Sequence, residues 1–167
     1  EEQKMYYLKA GYSIVSIDYR LAPETKLPEI VNDVKDAIQW IHQNGKDSLG
    51  IDATKLFVIG HSGGAYLALL SGHFPNNPLR GIVSFYGYGD IQGDWCNKPD
   101  SFYLTQTIIS DAEAKKLIID SIITSASYDN RFNLYKYSRQ NGFWTQLVSG
   151  HNIAKERNWF ARYCPAK

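Results

Sequence analysis

Apolar residues along the chain follow two spacings, one typical of buried strands and one typical of amphipathic helices. Short apolar runs at residues 12–18, 56–59 and 81–86 predict three strands. Between the first two runs, apolar residues recur every three or four positions over residues 29–43, which predicts an amphipathic helix that Gly45 ends. Strands that alternate with helices favour a parallel sheet with helices on both faces, so the expected fold class is α/β.

The pattern changes after the third predicted strand. From residue 88 onward the chain is rich in aromatic residues mixed with polar ones, and its periodicity is weaker. Ser110 and Glu113 have the spacing of a capping box, which predicts a helix through about residue 119. The aromatic residues of this second part are typical either of a small core or of the lining of a pocket.

A glycine-rich pentapeptide follows the second predicted strand and precedes a predicted helix. Residues 60–64 read Gly-His-Ser-Gly-Gly, a G-x-S-x-G pattern that does not end in the Gly-Lys-Ser/Thr of a phosphate loop. A sharp strand-to-helix turn of this kind needs small residues at Gly60 and Gly64 and exposes the serine hydroxyl. Ser62 is therefore the candidate catalytic nucleophile. The helix N-terminus lets the amide of Gly63 donate to an oxyanion, which makes it the candidate oxyanion-hole residue.

Together with this pentapeptide, a second motif carries a family resemblance. Residues 18–24 read Asp-Tyr-Arg-Leu-Ala-Pro-Glu, and with them the chain resembles the α/β-hydrolase-fold serine esterases of the hormone-sensitive-lipase-like and acetyl-esterase group. The likeness extends over residues 81–89 and, more loosely, over residues 93–142. Within the motif we expect Arg20 and Glu24 to form a local ion pair.

The resemblance implies a function and a division of the chain. It implies a carboxylic ester hydrolase that forms an acyl-enzyme on Ser62, takes a small-molecule ester and needs no metal or organic cofactor. It also implies that residues 1–87 are a partial α/β-hydrolase core and that residues 88–167 are a cap or lid inserted after the sixth strand of the fold. A peptidase or thioesterase on the same fold, or a non-catalytic hydrolase-like binding protein, are the alternatives.

Several parts that the resemblance implies are missing from the sequence. In that group a His-Gly-Gly motif upstream supplies further oxyanion donors, and the triad acid and histidine follow the serine, the histidine near the C-terminus. No such motif occurs here, so we expect an internal segment of the family domain that is inactive alone. The third strand of the fold, also absent, would lie between residues 12–18 and residues 56–59, leaving backbone hydrogen-bonding groups open on both.

Two residues inside the chain provide an alternative triad. Asp129 and His151 follow Ser62 in the required order. Residues 122–128 and 146–150, which precede them, are each candidates for a short strand. If this part of the chain is the cap, however, neither residue belongs to the triad, so the pair is kept only as the alternative.

Composition narrows the remaining functions. The 167 residues carry a formal net charge of +1 with scattered Lys and Arg, which gives no basic face for nucleic acid. No apolar run approaches the roughly 20 residues of a membrane span, and a soluble, cytoplasmic protein is slightly favoured. Cys96 and Cys164 can pair or stay reduced and do not fix the compartment. The acyl chain, the alcohol and the oligomeric state are left open.

Overall fold

The computed structural model describes residues 2–166, and a two-stranded parallel sheet carries the candidate site. Strand β1 (Leu56–His61) pairs with strand β2 (Leu79–Phe85). Helix α3 (Gly63–Ser71) connects them and packs against both. This unit confirms two of the predicted strands, the predicted helix after the pentapeptide and the parallel sheet.

The other elements are helical and lie before and after this unit. They are α1 (Glu2–Lys9), α2 (Leu27–Leu49), a short 3-10 helix (Ala53–Lys55), α4 (Asp94–Asn97), α5 (Ser101–Leu104), α6 (Asp111–Leu117), α7 (Tyr128–Asn141), α8 (Trp144–Ser149) and α9 (Arg157–Ala161).

Helix α2 is longer than the predicted helix at residues 29–43, because Gly45 does not end it. A Cβ at Gly45 would lie 3.1 Å from Cγ1 of Ile51, so this glycine allows the chain that follows the helix to pack closely against it. The helix ends at Gly50, which has a left-handed φ of 65°. The amide of Gly50 donates a hydrogen bond to the carbonyl of Lys46.

Residues 12–18 do not form the predicted strand. They make no ladder with β1, and an open groove of about 960 Å³ separates the two segments. Ile14 and Ile17 line one side of the groove, and Phe57 and Ile59 of β1 line the other. A strand exists only where a neighbour completes its hydrogen bonds, and across this groove the two backbones do not pair, although the ring of Tyr12 meets that of Phe57 at 6.1 Å.

One hydrophobic core joins the sheet unit, formed by β1, α3 and β2, to the helical region that follows it, residues 88–166. It is formed mainly by the inner face of α2 and by α3, whose apolar side chains meet those of the later helices. Its buried members are Leu27, Ile30, Val34, Ile38, Tyr66, Leu67, Leu70, Ile91, Cys96, Trp144, Phe160 and Cys164. Three of these members, Tyr66, Trp144 and Phe160, are aromatic, and they serve packing.

The helical region differs from the sequence predictions at two places and agrees at one. The capping box of Ser110 and Glu113 opens α6, as predicted. Residues 122–127 form no strand, and residues 146–149, predicted as a strand, lie in α8. Helix α8 buries Trp144, Thr145 and Ser149 on one side, a spacing that fits a helix and not the alternation of a strand.

The helical region returns to the point where it leaves the sheet unit. The amide of Ala166 donates to the carbonyl of Gly89 at 3.0 Å. Beside this contact, the hydroxyl of Tyr66 in α3 donates to the carbonyl of Tyr163 at 2.8 Å. Within residues 2–166, no helix combines the length and the apolar character needed to cross a membrane.

Candidate active site

Ser62 occupies a strained turn between β1 and α3. Its φ of 50° and ψ of −120° lie where residues other than glycine are rarely found. The turn is fixed on both sides: the amide of Ser62 donates to the carbonyl of Phe85 in β2 at 3.1 Å, and the carbonyl of Ser62 accepts from the amides of Ala65 and Tyr66. The serine side chain, predicted from the pentapeptide, is exposed at this turn.

The two glycines that flank the turn have different steric roles. A Cβ at Gly60 would lie 2.1 Å from the carbonyl oxygen of Gly64 and 2.6 Å from the amide nitrogen of Ala65, distances that no side chain can have. A Cβ at Gly64 would lie 3.8 Å from the hydroxyl of Tyr19, which is an ordinary van der Waals contact. The turn therefore requires glycine at the first position, whereas the second has space for a methyl group.

The amide of Gly63 lies at the N-terminus of α3, beside the serine. Among the hydrogen bonds of residues 2–166, none gives this N–H an acceptor, as is usual for the first turn of a helix. The aligned peptide dipoles of the helix place partial positive charge at the same point. An exposed hydroxyl next to an available amide donor is the arrangement that attack on a carbonyl requires.

Tyr88 is a residue of this site that the sequence did not single out. Its hydroxyl lies 3.9 Å from the position that a Cβ would take on Gly63. Its ring stacks on that of Tyr66 at 4.9 Å, and burial raises the pKa of its hydroxyl above the ordinary value. A signal was present in the sequence: Tyr88 follows β2, and the carboxyl ends of neighbouring parallel strands lie at the same edge of a sheet.

The four histidines lie elsewhere or have other partners. None forms a hydrogen bond with Ser62 within the part of the chain that the structure describes. His42 lies near the carbonyl of Ala53 (3.4 Å), His73 near the carbonyl of Pro165 (3.2 Å) and His151 near the carboxylate of Glu156 (2.7 Å), while the ring of His61 stacks on Phe85.

The alternative triad partners, Asp129 and His151, are not brought together. Nδ1 of His151 pairs with Glu156, and the imidazole ring stacks on Trp159 at 4.0 Å. The hydrogen bond with His151 lowers the pKa of Glu156. Asp129 lies exposed in the first turn of α7, and no bond between it and His151 occurs in residues 2–166. The structure therefore gives His151 a different carboxylate partner.

The expected ion pair between Arg20 and Glu24 is also wrong, because each residue has a more distant partner. The guanidinium of Arg20 donates to both carboxylate oxygens of Asp33 at 2.7 to 3.0 Å, and this hydrogen bonding lowers the pKa of Asp33. Glu24 pairs with Arg131 of α7 at 2.7 and 2.9 Å. The motif at residues 18–24 thus joins α2 to the helical region.

Glu24 is the most deeply buried acid of these pairs. Its side chain is 2% exposed and also accepts from the amide of Ile119 at 3.1 Å. Burial works to raise the pKa of Glu24, but the hydrogen bonds from Arg131 and Ile119 outweigh it and lower the pKa. Glu24 is therefore a structural anion that ties the loop before α2 to α7.

Other chemistry is limited in the described part of the chain. Residues 2–166 contain no group of three or more His, Cys, Asp or Glu side chains arranged to hold a metal ion. Cys96 is a buried thiol and not half of a disulfide. Its S–H donates a hydrogen bond to the carbonyl of Ile91, and burial raises the pKa of the thiol to about 11. The pairing of Cys96 with Cys164 that the sequence left open is thus not adopted.

Comparison with known proteins gives a family and a fold. The family model described as BD-FAE matches residues 1–97. The solved structure of an α/β hydrolase superfamily protein from Enterococcus faecalis superimposes with a TM-score of 0.75 at 25% identity, over 98% of this chain and 57% of that chain. The expected α/β-hydrolase fold is therefore confirmed.

Curated relatives match over shorter shares of their own length. Esterase LipC of Mycobacterium tuberculosis is 41% identical over 68 residues, which are 41% of this chain and 17% of the relative. The non-reducing polyketide synthase atr1 of Stereocaulon alpinum is 29% identical over 133 residues, which are 74% of this chain and 5% of the relative. The chain thus spans a small part of these relatives and just over half of the matched solved structure.

Proposed function

The chain belongs to the BD-FAE family, which is of the α/β-hydrolase type, and we propose that it carries the nucleophile of a serine hydrolase acting on carboxylic esters. The observation that carries the proposal is Ser62 at its strained turn, exposed beside the available amide of Gly63. Strained backbone conformations of this kind cluster at active sites, which supports a catalytic role. Relatives named as esterases support ester substrates.

The proposed reaction has two steps of acyl transfer. In the first, Oγ of Ser62 forms a bond to the ester carbonyl carbon, its proton passes to a general base, and the carbonyl electron pair moves onto oxygen. The amide of Gly63 binds that oxyanion. Collapse of the intermediate breaks the bond to the alcohol oxygen, which leaves with the proton from the base. Water then repeats the sequence on the acyl-enzyme and releases the acid.

The general base is proposed to be a histidine supplied from outside residues 1–167, together with its acid. Two observations support this. His42, His73 and His151 each contact another partner, and His61 stacks on Phe85. The chain also spans 57% of the related solved protein, which leaves room for further catalytic groups in a whole protein.

Residues 88–167 are proposed to be the cap of this hydrolase. The hydrogen bond between Gly89 and Ala166 supports an insertion, because the chain that leaves the sheet at Gly89 has returned to the same place at Ala166. The pair of Glu24 and Arg131 holds the region to the loop before α2. Because its first residue, Tyr88, lies beside Gly63, a cap here would help to exclude water from an acyl group on Ser62.

The test is replacement of the serine in the full-length protein. A fluorophosphonate probe should label the wild type, and Ser62→Ala should remove the label and lower turnover of p-nitrophenyl acetate by about 10³-fold or more. His151→Ala is the matched control and should keep both label and turnover, because its partner is Glu156. Undiminished turnover in Ser62→Ala would refute the nucleophile, and loss of activity in His151→Ala would restore the alternative triad.

A further inference from the structure

The hydroxyl of Tyr88 and the amide of Gly63 are close enough to bind the same atom. The hydroxyl lies 3.9 Å from the Cβ position of Gly63. Since that position is about 2.5 Å from the glycine's own nitrogen, the two donors are at most about 6.4 Å apart. One oxygen that accepts two hydrogen bonds of ordinary length can bridge donors up to about 6 Å apart, which covers most of this range. The geometry therefore allows a shared acceptor beside Ser62.

The hydroxyl of Tyr88 is an available donor in the resting protein. No side-chain or backbone group in residues 2–166 forms a hydrogen bond with it. Its neighbour Tyr66, whose ring stacks on that of Tyr88, donates instead to the carbonyl of Tyr163. The hydroxyl oxygen is not one of the side-chain atoms enclosed without a partner, so it remains accessible and can donate to a ligand that arrives beside Ser62.

The ring of Tyr88 is held by aromatic contacts on several sides. Besides Tyr66, the rings of Trp95 at 4.9 Å and Trp144 at 5.2 Å pack against it. The guanidinium of Arg139 in turn lies over the ring of Trp95, 5.0 Å from its centre. A donor fixed in this way needs little rearrangement when charge develops near it, which is the condition for electrostatic catalysis.

The protonation state of Tyr88 suits a donor and excludes a general base. Burial raises the pKa of the hydroxyl, so the phenol stays neutral and keeps its proton through neutral pH. A phenolate at this position would repel an oxyanion, whereas the neutral O–H can donate to it.

We propose that Tyr88 is a catalytic hydrogen-bond donor to the ester carbonyl oxygen, acting beside the amide of Gly63. The inference rests on the proposed ester-hydrolase function of Ser62 and adds a residue to its site. As the bond from Oγ of Ser62 to the carbonyl carbon forms, the carbonyl electron pair moves onto oxygen and the Tyr88 O–H donates to it. The phenol keeps its proton, and the serine proton passes to the general base.

The experiment compares Tyr88→Phe with Tyr66→Phe in the full-length protein. Removing one oxyanion donor typically lowers kcat by about 10² to 10³-fold, and with other donors present we expect about 10- to 100-fold for Tyr88→Phe, with KM little changed. Its melting temperature should stay within about 2 °C of the wild type, because the ring remains and no hydrogen bond is lost. Tyr66→Phe should do the reverse, lowering the melting temperature and keeping kcat.

A trifluoromethyl ketone gives a second readout, since its adduct with serine carries an oxyanion. Its inhibition constant should rise in Tyr88→Phe by about the same factor as kcat falls, and should not change in Tyr66→Phe. A kcat within twofold of the wild type in Tyr88→Phe would overturn the inference while leaving Ser62 as nucleophile. Equal losses of kcat and melting temperature in both variants would overturn it as well, because packing alone would explain them. A wild type that neither takes the fluorophosphonate label nor hydrolyses ester would instead refute the proposed function.

Discussion

Replacing Gly60 by alanine should destabilise the protein strongly, because the added methyl group has no space. A Cβ at this position would lie 2.1 Å from the carbonyl oxygen and 2.3 Å from the carbonyl carbon of Gly64. Ordinary contacts between such atoms are longer than 3 Å, so relief requires β1 and α3 to move apart by about 1 Å. Both atoms belong to the backbone, and no side-chain rotation can relieve the overlap.

The magnitude follows from the kind of atoms involved. Overpacking among side chains costs about 1 to 3 kcal/mol, and a clash with fixed backbone lies at or above the upper end, about 3 kcal/mol. For a protein of this size that corresponds to a melting temperature lower by about 6 to 12 °C. The movement would also displace Ser62, so ester turnover should fall together with stability.

Gly64→Ala is the matched control for this prediction. Its methyl group would meet only the hydroxyl of Tyr19 at 3.8 Å, and alanine is favoured over glycine by up to about 1 kcal/mol within a helix. Thermal unfolding followed by circular dichroism should therefore show Gly64→Ala near or slightly above the wild type. The steric argument fails if Gly60→Ala melts within about 2 °C of the wild type, or if both variants are destabilised equally.

Two further predictions concern stability. The folded-state pKa of Glu24 lies below its ordinary value of 4.5, so the contribution of this carboxylate to folding is present above pH 4.5 and is lost as pH falls through the lowered pKa. Melting temperatures measured from pH 7 to pH 3 should therefore fall more steeply below pH 4.5 in the wild type than in Glu24→Gln; parallel curves would contradict this. Ser110→Ala removes the capping box of α6 and should cost about 1 kcal/mol, or about 2 to 4 °C in melting temperature. Ser125→Ala, at an exposed position outside any helix, is its control, and an equal loss in the two would show that the cap contributes nothing.

The parts of the fold that depend on neighbours in sequence were predictable. The apolar runs before and after the pentapeptide predicted β1, α3 and β2, because each forms from residues a few positions apart. The turn at Ser62 was predictable for the same reason, since its small flanking residues and its strand and helix are contiguous. The capping box of α6 is likewise contained within four residues.

The parts that failed depend on residues far apart in the chain. Residues 12–18 have the composition of a strand, but pairing is decided by what lies beside them, and there a groove lies. The sequence predicts a pair of Glu24 with its neighbour Arg20, because nothing in it reveals that Arg131, 107 positions away, lies beside Glu24. The pattern predicts a helix end at Gly45, whereas in the structure its small size allows Ile51 to pack against the helix. Glycine can end a helix or allow close packing, and only the tertiary structure shows which of the two applies at a given position.

The closure of the helical region at Gly89 and Ala166 has a consequence for how such a protein can diversify. A segment whose two ends are neighbours can lengthen or shorten without moving the elements to which it is attached. The entropy of closing it changes by only about 0.6 kcal/mol for each doubling of its length. Mutations and insertions that reshape the helices can therefore accumulate independently of β1, β2 and α3. The proposed cap can thus evolve at a different rate from the part that holds Ser62.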